Sequence, residues 1–298
     1  MFILVIESCR LCPIECGGYR DDKTGKGFCG ATALMEVARI APHYGEEPCI
    51  SGKRGSGAVF FSHCTMRCLF CQNYEISHGG FGREISADRL AVKFRELEKS
   101  GVHNINLVNG THYIPQIREA LMLYKPNIPV IFNCGGYEKA ESLRLLSGLV
   151  DVYLPDFKYY DDEMANEYSG VKNYRETAIT AINEMLSQTG EPLFDGDGMI
   201  TKGTVIRHLV LPFGTKNSIA VLNLIKENFG SRALVSLMAQ YTPCGKATEH
   251  KRLNRKITKR EYQKVLDALF DSELDGYAQE LEASGTEFIP SFDLTGVL

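Results

Sequence analysis

The chain has 298 residues, 44% of them hydrophobic, and a net charge of −4. That is ample for a large core, in one domain or a domain with an appendage. No lysine and arginine block is dense enough to mark a nucleic-acid surface, and Lys251-Arg252-Leu253-Asn254-Arg255-Lys256 reads as a solvated loop. No stretch is apolar for long enough to span a bilayer, so no membrane association and a cytoplasmic location are expected. Ten cysteines in such a chain argue for metal rather than disulfides.

The apolar start, Met1-Phe2-Ile3-Leu4-Val5-Ile6, is too short for a signal segment and reads as a strand. Residues 1–50 form a Cys- and Gly-rich segment with little periodicity. It carries Cys9, Cys12, Cys16 and Cys29, with Gly17, Gly18, Gly27 and Gly30 close by. So small a lobe buries little apolar surface, and metal ligation would supply its folding energy. Four cysteines can close a site, and zinc and a second [4Fe-4S] cluster both fit. A closed ligand set points to structure or electron relay rather than catalysis.

The segment Ala58-Val59-Phe60-Phe61 reads as a strand, and directly after it comes Cys64-Thr65-Met66-Arg67-Cys68-Leu69-Phe70-Cys71. Three thiolates so placed can hold three irons of a cubane and leave the fourth open. An open coordination position separates a reactive metal site from a structural one. A structural zinc or a coincidental cluster of thiols is the alternative. The pattern C-x3-C-x-aromatic-C resembles the signature of the radical S-adenosylmethionine (SAM) enzymes. The resemblance implies that Cys64, Cys68 and Cys71 ligate a [4Fe-4S] cluster, that SAM chelates the open iron, and that Phe70 lies near the adenine. Phe70 also suits an ordinary core position.

Strands and helices then alternate. Ser86 caps a helix carrying Leu90, Phe94 and Leu97 on one face, and His103–Val108 is the second strand. Asn109 and Gly110 follow it, where many radical SAM proteins have a Gly-Gly-Glu-like motif whose backbone receives the methionyl amino group. The Gly-Gly pair and the Glu are absent, but Gly110 remains, and the backbone carbonyls of Asn109 and Gly110 could still receive that group. His112 reads equally as a ligand-facing donor or a helix N-terminal residue. A helix with Ile114, Ile117, Leu121 and Tyr124 in register leads to the strand Ile128–Phe132 and then Asn133. Activases of glycyl radical enzymes often have an Asp there, beside a monovalent cation. Cys134 reads as a packed thiol.

Glu138–Leu146 reads as a helix and Leu149–Leu154 as the fourth strand. Asp156 and Lys158 lie two apart just beyond it and so face one side of extended chain. The resemblance gives them the SAM carboxylate, contacted directly or through the cation; a solvent-exposed ion pair on a turn is the alternative. Asn173 and Glu176 form a capping-box pattern before Ile179, Ile182, Met185 and Leu186. Thr204–Leu211 is the fifth strand. Its adjacent Arg207 and His208 face opposite ways, and Arg207 resembles an activase arginine. A helix with Ile219, Leu222 and Ile225 precedes the sixth strand, Ala233–Met238. Gln240 and Tyr241 stand where activases usually have a tyrosine–histidine pair. Thr258 and Glu261 repeat the capping-box signal before a last helix.

Six β/α units argue for parallel strands with right-handed crossovers, too few for an eight-fold barrel. The expected fold is α/β, a partial (β/α)6 barrel of parallel strands over residues 51–245. The Cys-rich segment precedes it, and a C-terminal helix and tail, residues 246–298, pack on it. Such a barrel matches the radical SAM core that the resemblance implies.

The segments Cys9-Arg10-Leu11-Cys12-Pro13, Arg54-Gly55-Ser56-Gly57, Cys71-Gln72-Asn73-Tyr74-Glu75-Ile76-Ser77 and Tyr153-Leu154-Pro155-Asp156-Phe157-Lys158 together resemble the pyruvate formate-lyase activating enzyme-like subgroup. That implies an oxidoreductase working anaerobically, with reduced flavodoxin or ferredoxin as electron donor. SAM would be cleaved to methionine and a 5′-deoxyadenosyl radical, which takes a hydrogen atom from a glycine of a partner glycyl radical enzyme. The other readings are radical modification of another peptide or a small molecule, and a non-catalytic iron–sulfur or zinc protein.

Overall fold

The computed structural model describes residues 5–281 and 289–298. In chain order its elements are β1 (Met35–His43), α1 (Pro48–Ser51), β2 (Ser56–Phe61), α2 (Tyr74–Ser77), β3 (Arg83–Ile85), α3 (Ala87–Lys99), β4 (Ile105–Val108), α4 (Ile114–Leu123), β5 (Val130–Cys134), α5 (Ala140–Arg144), β6 (Val152–Pro155), α6 (Asp162–Ser169), α7 (Tyr174–Thr189), β7 (Leu193–Phe194), β8 (Ile200–Leu209), α8 (Thr215–Asn228), β9 (Leu234–Met238), α9 (Lys259–Asp271) and β10 (Gly276–Ala278).

Six strands, β2, β4, β5, β6, β8 and β9, lie side by side in that order, each parallel to the next. Strands that neighbour in both sequence and space give a singly wound sheet, with every carboxyl end on one rim. This is the expected partial (β/α)6 barrel. Every residue of β2, β4 and β6 is buried, as strands covered on both faces require. Antiparallel β1 and β3 extend the β2 edge, and β10 adds to β9 in parallel.

Two layers of packing follow. The helices cover the outer face through residues such as Leu90 and Phe94 of α3, Ile117 of α4, Ile182 and Met185 of α7 and Val221 of α8. The open barrel cannot fill its own lumen, and α1 does so. Cys49 and Ile50 form a separate buried group with Ile131, Val152, Leu154, Ile200 and Val205 on the inner side. The tail returns to the β1 edge, where Leu294 N donates to Ala38 O at 3.0 Å and Ile40 N to Thr295 O at 2.8 Å.

Several expectations are refined. Ser86 caps α3 by accepting from Arg89 N, and Thr258 with Glu261 forms a complete capping box on α9. Asn173 does not cap α7. Its backbone is left-handed (φ 52°), whereas a capping side chain needs an extended residue. The expected helix 138–146 shrinks to the five residues of α5. The nine-residue strand β1 was missed because its inward and outward residues do not alternate cleanly; a register shift falls between Val37 and Arg39. The strand read at Met1–Ile6 lies largely outside the described residues, and Ile6 makes a single antiparallel bridge to Arg20. Among the described residues no helix is long and apolar enough to cross a membrane.

Candidate active site at the carboxyl ends of the strands

The three-cysteine loop leaves β2 and is strapped to the end of α6. Arg67 N donates to Ser169 O at 2.9 Å and Leu69 N to Tyr168 O at 2.8 Å. Each sulfur accepts a hydrogen bond: Cys64 from Met66 N (3.3 Å), Cys68 from Ser169 Oγ (3.0 Å) and Cys71 from Ser77 Oγ (3.2 Å). Burial pushes all three thiols up, Cys68 to about 11, while the Lys158 ammonium pulls the other way. Donors and a cation around the three sulfurs offset part of this rise and favour the charged form that binds metal. Cys244, which the sequence left without a role, donates its thiol to Phe70 O and Cys71 O, both at 3.3 Å.

A cavity of about 200 Å³ opens beside this loop at the strand ends. Cys68, Phe70 and Cys71 line it from the loop, Asn133 from β5, Asp156 and Lys158 from beyond β6, Arg207 from β8 and Gln240 from beyond β9. Cys64 is half-buried and neighbours Cys68 and Cys71. Residues far apart in sequence thus meet on the rim where parallel α/β folds bind ligands.

Asp156 and Lys158 are ion-paired across the buried Phe157. Burial lowers the Lys158 ammonium, but the Asp156 carboxylate and the Cys68 sulfur outweigh it and hold it above the usual lysine range. The lysine therefore stays charged.

Arg207 is committed within the protein. Its Nε donates to Glu47 Oε1 at 2.8 Å, and Nη2 donates to Glu47 Oε2 at 2.5 Å and to Glu46 Oε2. Glu46 Oε1 accepts from Asn106 Nδ2 (2.8 Å) and Asn133 Nδ2 (3.4 Å). Burial pushes Glu47 up, and Arg207 reverses this, so the carboxyl is held below its ordinary range. Sequence reasoning missed both glutamates. The adjacent acids in Gly45-Glu46-Glu47-Pro48 were the only signal, and without β1 nothing placed them inside the barrel.

Other expected residues stand elsewhere. Asn109 has φ 63° and donates Nδ2 to His63 O at 2.5 Å, bracing the cysteine loop from behind. Gly110 faces α4, where an added Cβ would come within 2.5 Å of Ile117 Cδ1. Neither lines the cavity. His112 is buried and donates Nε2 to Ser62 O at 2.7 Å, with Nδ1 unpartnered; burial pushes its pKa down to about 3. Arg207 takes the inward face of β8, and His208 faces Phe157 O at 2.6 Å. Tyr241 turns away to donate to Leu253 O, which leaves Gln240 at the cavity.

The N-terminal cysteines are mutual neighbours. Cys12, pushed up to about 12 by burial, feels Cys29, Cys9 and Cys16. Glu15 N donates to Cys12 O, Gly17 N to Cys9 O and Phe28 N to Cys16 Sγ. Gly18 lies so close to Gly27 that a Cβ would fall 2.3 Å from its Cα. The segment docks on the barrel through Ser142 Oγ to Leu11 O (2.7 Å) and Arg67 Nη2 to Phe28 O (2.6 Å). Among the described residues no three Cys, His, Asp or Glu side chains converge as ligands of one metal ion.

Comparison with known proteins accords with this geometry. The sequence pattern of the radical SAM superfamily matches residues 58–219. Uncharacterized protein MJ0674 of Methanocaldococcus jannaschii is 31% identical over 280 residues, covering 91% of this chain and 77% of its own. Methylornithine synthase (PylB) shares the fold at a TM-score of 0.52 and 14% identity, over 75% of this chain and 70% of that one. SuiB of Streptococcus suis, solved with its precursor peptide SuiA, does so at 0.50 and 16% identity over 73% of this chain, which spans 47% of SuiB. With the family pattern matched over more than half its length, and with the three-cysteine loop beside a cavity at the strand ends, this chain belongs to the radical SAM superfamily.

Proposed function

We propose that the protein cleaves SAM reductively at a [4Fe-4S] cluster held by Cys64, Cys68 and Cys71, and that the hydrogen atom it abstracts comes from a glycine of a partner protein, as in the pyruvate formate-lyase activating enzyme-like subgroup. The observation that carries the cleavage reading is the single cavity joining two of the three loop cysteines to the half-buried Lys158–Asp156 pair.

The residues suit the groups. Cys68 is buried and Cys64 and Cys71 half-buried, and each sulfur already accepts a hydrogen bond. When bound, cluster and SAM supply one-electron scission of the C5′–S bond, giving methionine and the 5′-deoxyadenosyl radical. Lys158 is placed to hold the SAM carboxylate as a compact charge, with Asp156 fixing its direction. Phe70, which lines the cavity, would lie near the adenine. Asn133 supplies an amide. Arg207, bound to Glu46 and Glu47, orients the cavity wall rather than the ligand. Reduced flavodoxin or ferredoxin would deliver the electron. The cysteines at 9, 12, 16 and 29 are neighbours whose four sulfurs suit a second cluster, or zinc once they draw together on one ion, with a structural or relay role.

The test is anaerobic reconstitution with iron and sulfide, reduction, addition of SAM and assay for 5′-deoxyadenosine. Cleavage is expected in the parent and lost in Cys64→Ala that retains its fold. A fully clustered protein that makes no nucleoside, with or without candidate partners, overturns the reading. The glycine is tested by electron paramagnetic resonance of mixtures with glycyl radical enzymes, and absence of a glycyl radical in all of them sinks the activase role.

One observation favours a second reading. A cavity of about 260 Å³ adjoins the first and shares Glu46, Arg207, Met238 and Gln240 with it. That volume suits part of a small molecule or a peptide side chain, so modification of another substrate is the alternative.

A further inference from the structure

Arg20 is fully buried, at 0% exposure, inside the Cys-rich segment. Its Nε and Nη2 donate to Thr32 O at 3.1 and 2.6 Å. Its Nη1 donates to His112 O at 2.9 Å and to Cys9 Sγ at 3.7 Å. The Tyr113 ring lies 5.5 Å from its Cζ. Among the described residues no carboxylate pairs with it; Glu36, which also neighbours Tyr113, is bound to His63 Nε2 at 3.0 Å.

Carbonyl oxygens solvate a guanidinium but do not neutralise it. Arginine does not lose its proton in proteins, and a buried charge without an anion is costly. Of the groups that Arg20 touches through hydrogen bonds, the Cys9 sulfur alone can carry negative charge. Four neutral thiols supply none. Four thiolates on zinc or on a [4Fe-4S] core leave a net negative centre in either case.

Building on the metal reading above, we propose that Cys9, Cys12, Cys16 and Cys29 hold an anionic metal–tetrathiolate centre whose buried counter-charge is Arg20. Through its bond to His112 O the same side chain locks the Cys-rich segment onto the loop after β4. Arg20 is thus a positioning residue. It holds a ligand sulfur and, at the same time, the backbone behind the cysteine loop.

The experiment uses the full chain with Cys64, Cys68 and Cys71 all changed to Ser, so that it is independent of SAM cleavage. Metal and acid-labile sulfide are measured on protein prepared anaerobically. About one zinc, or about four irons with sulfide, supports the centre and says which metal fills it. Protein that folds and holds neither overturns it. In the same background Arg20→Gln is expected to lose metal to EDTA about 10- to 100-fold more readily, the usual effect of removing a group that bonds a ligand. Arg20→Lys should recover part of that loss.

The metal-free forms give the opposite sign. Without the centre the guanidinium has no counter-ion, so apo Arg20→Gln should be at least as heat-stable as its apo parent. Equal destabilisation of the apo and metal-bound forms would mean that Arg20 serves only its carbonyl partners, and overturns the pairing.

Discussion

Arg207 of β8 grips both carboxylate oxygens of Glu47, from the loop after β1, at 2.8 and 2.5 Å inside the barrel. This pair, with Glu46, fastens the lumen plug to the strand that lines the cavity. Breaking one side leaves two acids buried without their cation. Arg207→Met should therefore lower stability by about 3–5 kcal/mol. The check is the midpoint of urea unfolding at unchanged slope. Arg207→Met combined with Glu46→Gln and Glu47→Gln should recover much of the loss. No recovery would show that the plug is held by packing alone.

Lys158 keeps its charge because Asp156 and the Cys68 sulfur outweigh the cost of burial. If it holds the SAM carboxylate, Lys158→Gln with Asp156→Asn should weaken SAM binding by about 2 kcal/mol, roughly thirtyfold in Kd. The paired change leaves no lone carboxylate behind. Equilibrium binding to the clustered protein measures it, and an unchanged Kd removes Lys158 from the SAM site.

Glu138 is buried behind the cavity and accepts from Thr111 Oγ1 at 3.0 Å, while its Oε2 has no hydrogen-bond partner. Burial pushes its carboxyl up from 4.5 to about 7. The folded state thus binds this proton more tightly than the unfolded chain. Its contribution is full below pH 4.5 and is lost as pH rises to about 7. Glu138→Gln should abolish that slope and, above pH 7, be the more stable by up to about 3 kcal/mol. Unfolding curves of parent and variant between pH 5 and about 8 test it; parallel pH profiles would refute it.

Gly136 has φ 75°, and a Cβ there would fall 1.8 Å from Asp156 O. Gly148 has the same φ with open space around it. Gly148→Ala should show only the backbone strain, about 1 kcal/mol. Gly136→Ala should cost more and, if the Asp156–Lys158 segment holds SAM, also weaken SAM binding by displacing that segment. Equal effects on both stability and binding would show that the close approach is unimportant.

How much was legible in advance follows from the range of each interaction. The cysteine loop was readable because its three cysteines lie within eight consecutive residues. The six parallel strands were readable because each is a short apolar run followed by an amphipathic helix. Asp156 and Lys158 were placed on one side of the chain by their spacing of two, and the structure brings both to the cavity. Asn109 and Gly110 lie just past a strand but bend away from the cavity, because the left-handed turn at Asn109 aims its amide at His63 O.

The sequence by itself determined the three-cysteine motif, the run of six parallel strands and the rim on which the cavity opens, all through local patterns. Only the tertiary structure decided that Arg207 is bound to Glu46 and Glu47 and that α1 fills the lumen. It alone showed that Arg20 lies buried between Cys9 and His112. Those contacts join residues between 11 and 161 positions apart. A charge declares its need for a partner in the sequence, but which partner it meets is fixed only when the fold removes both from water.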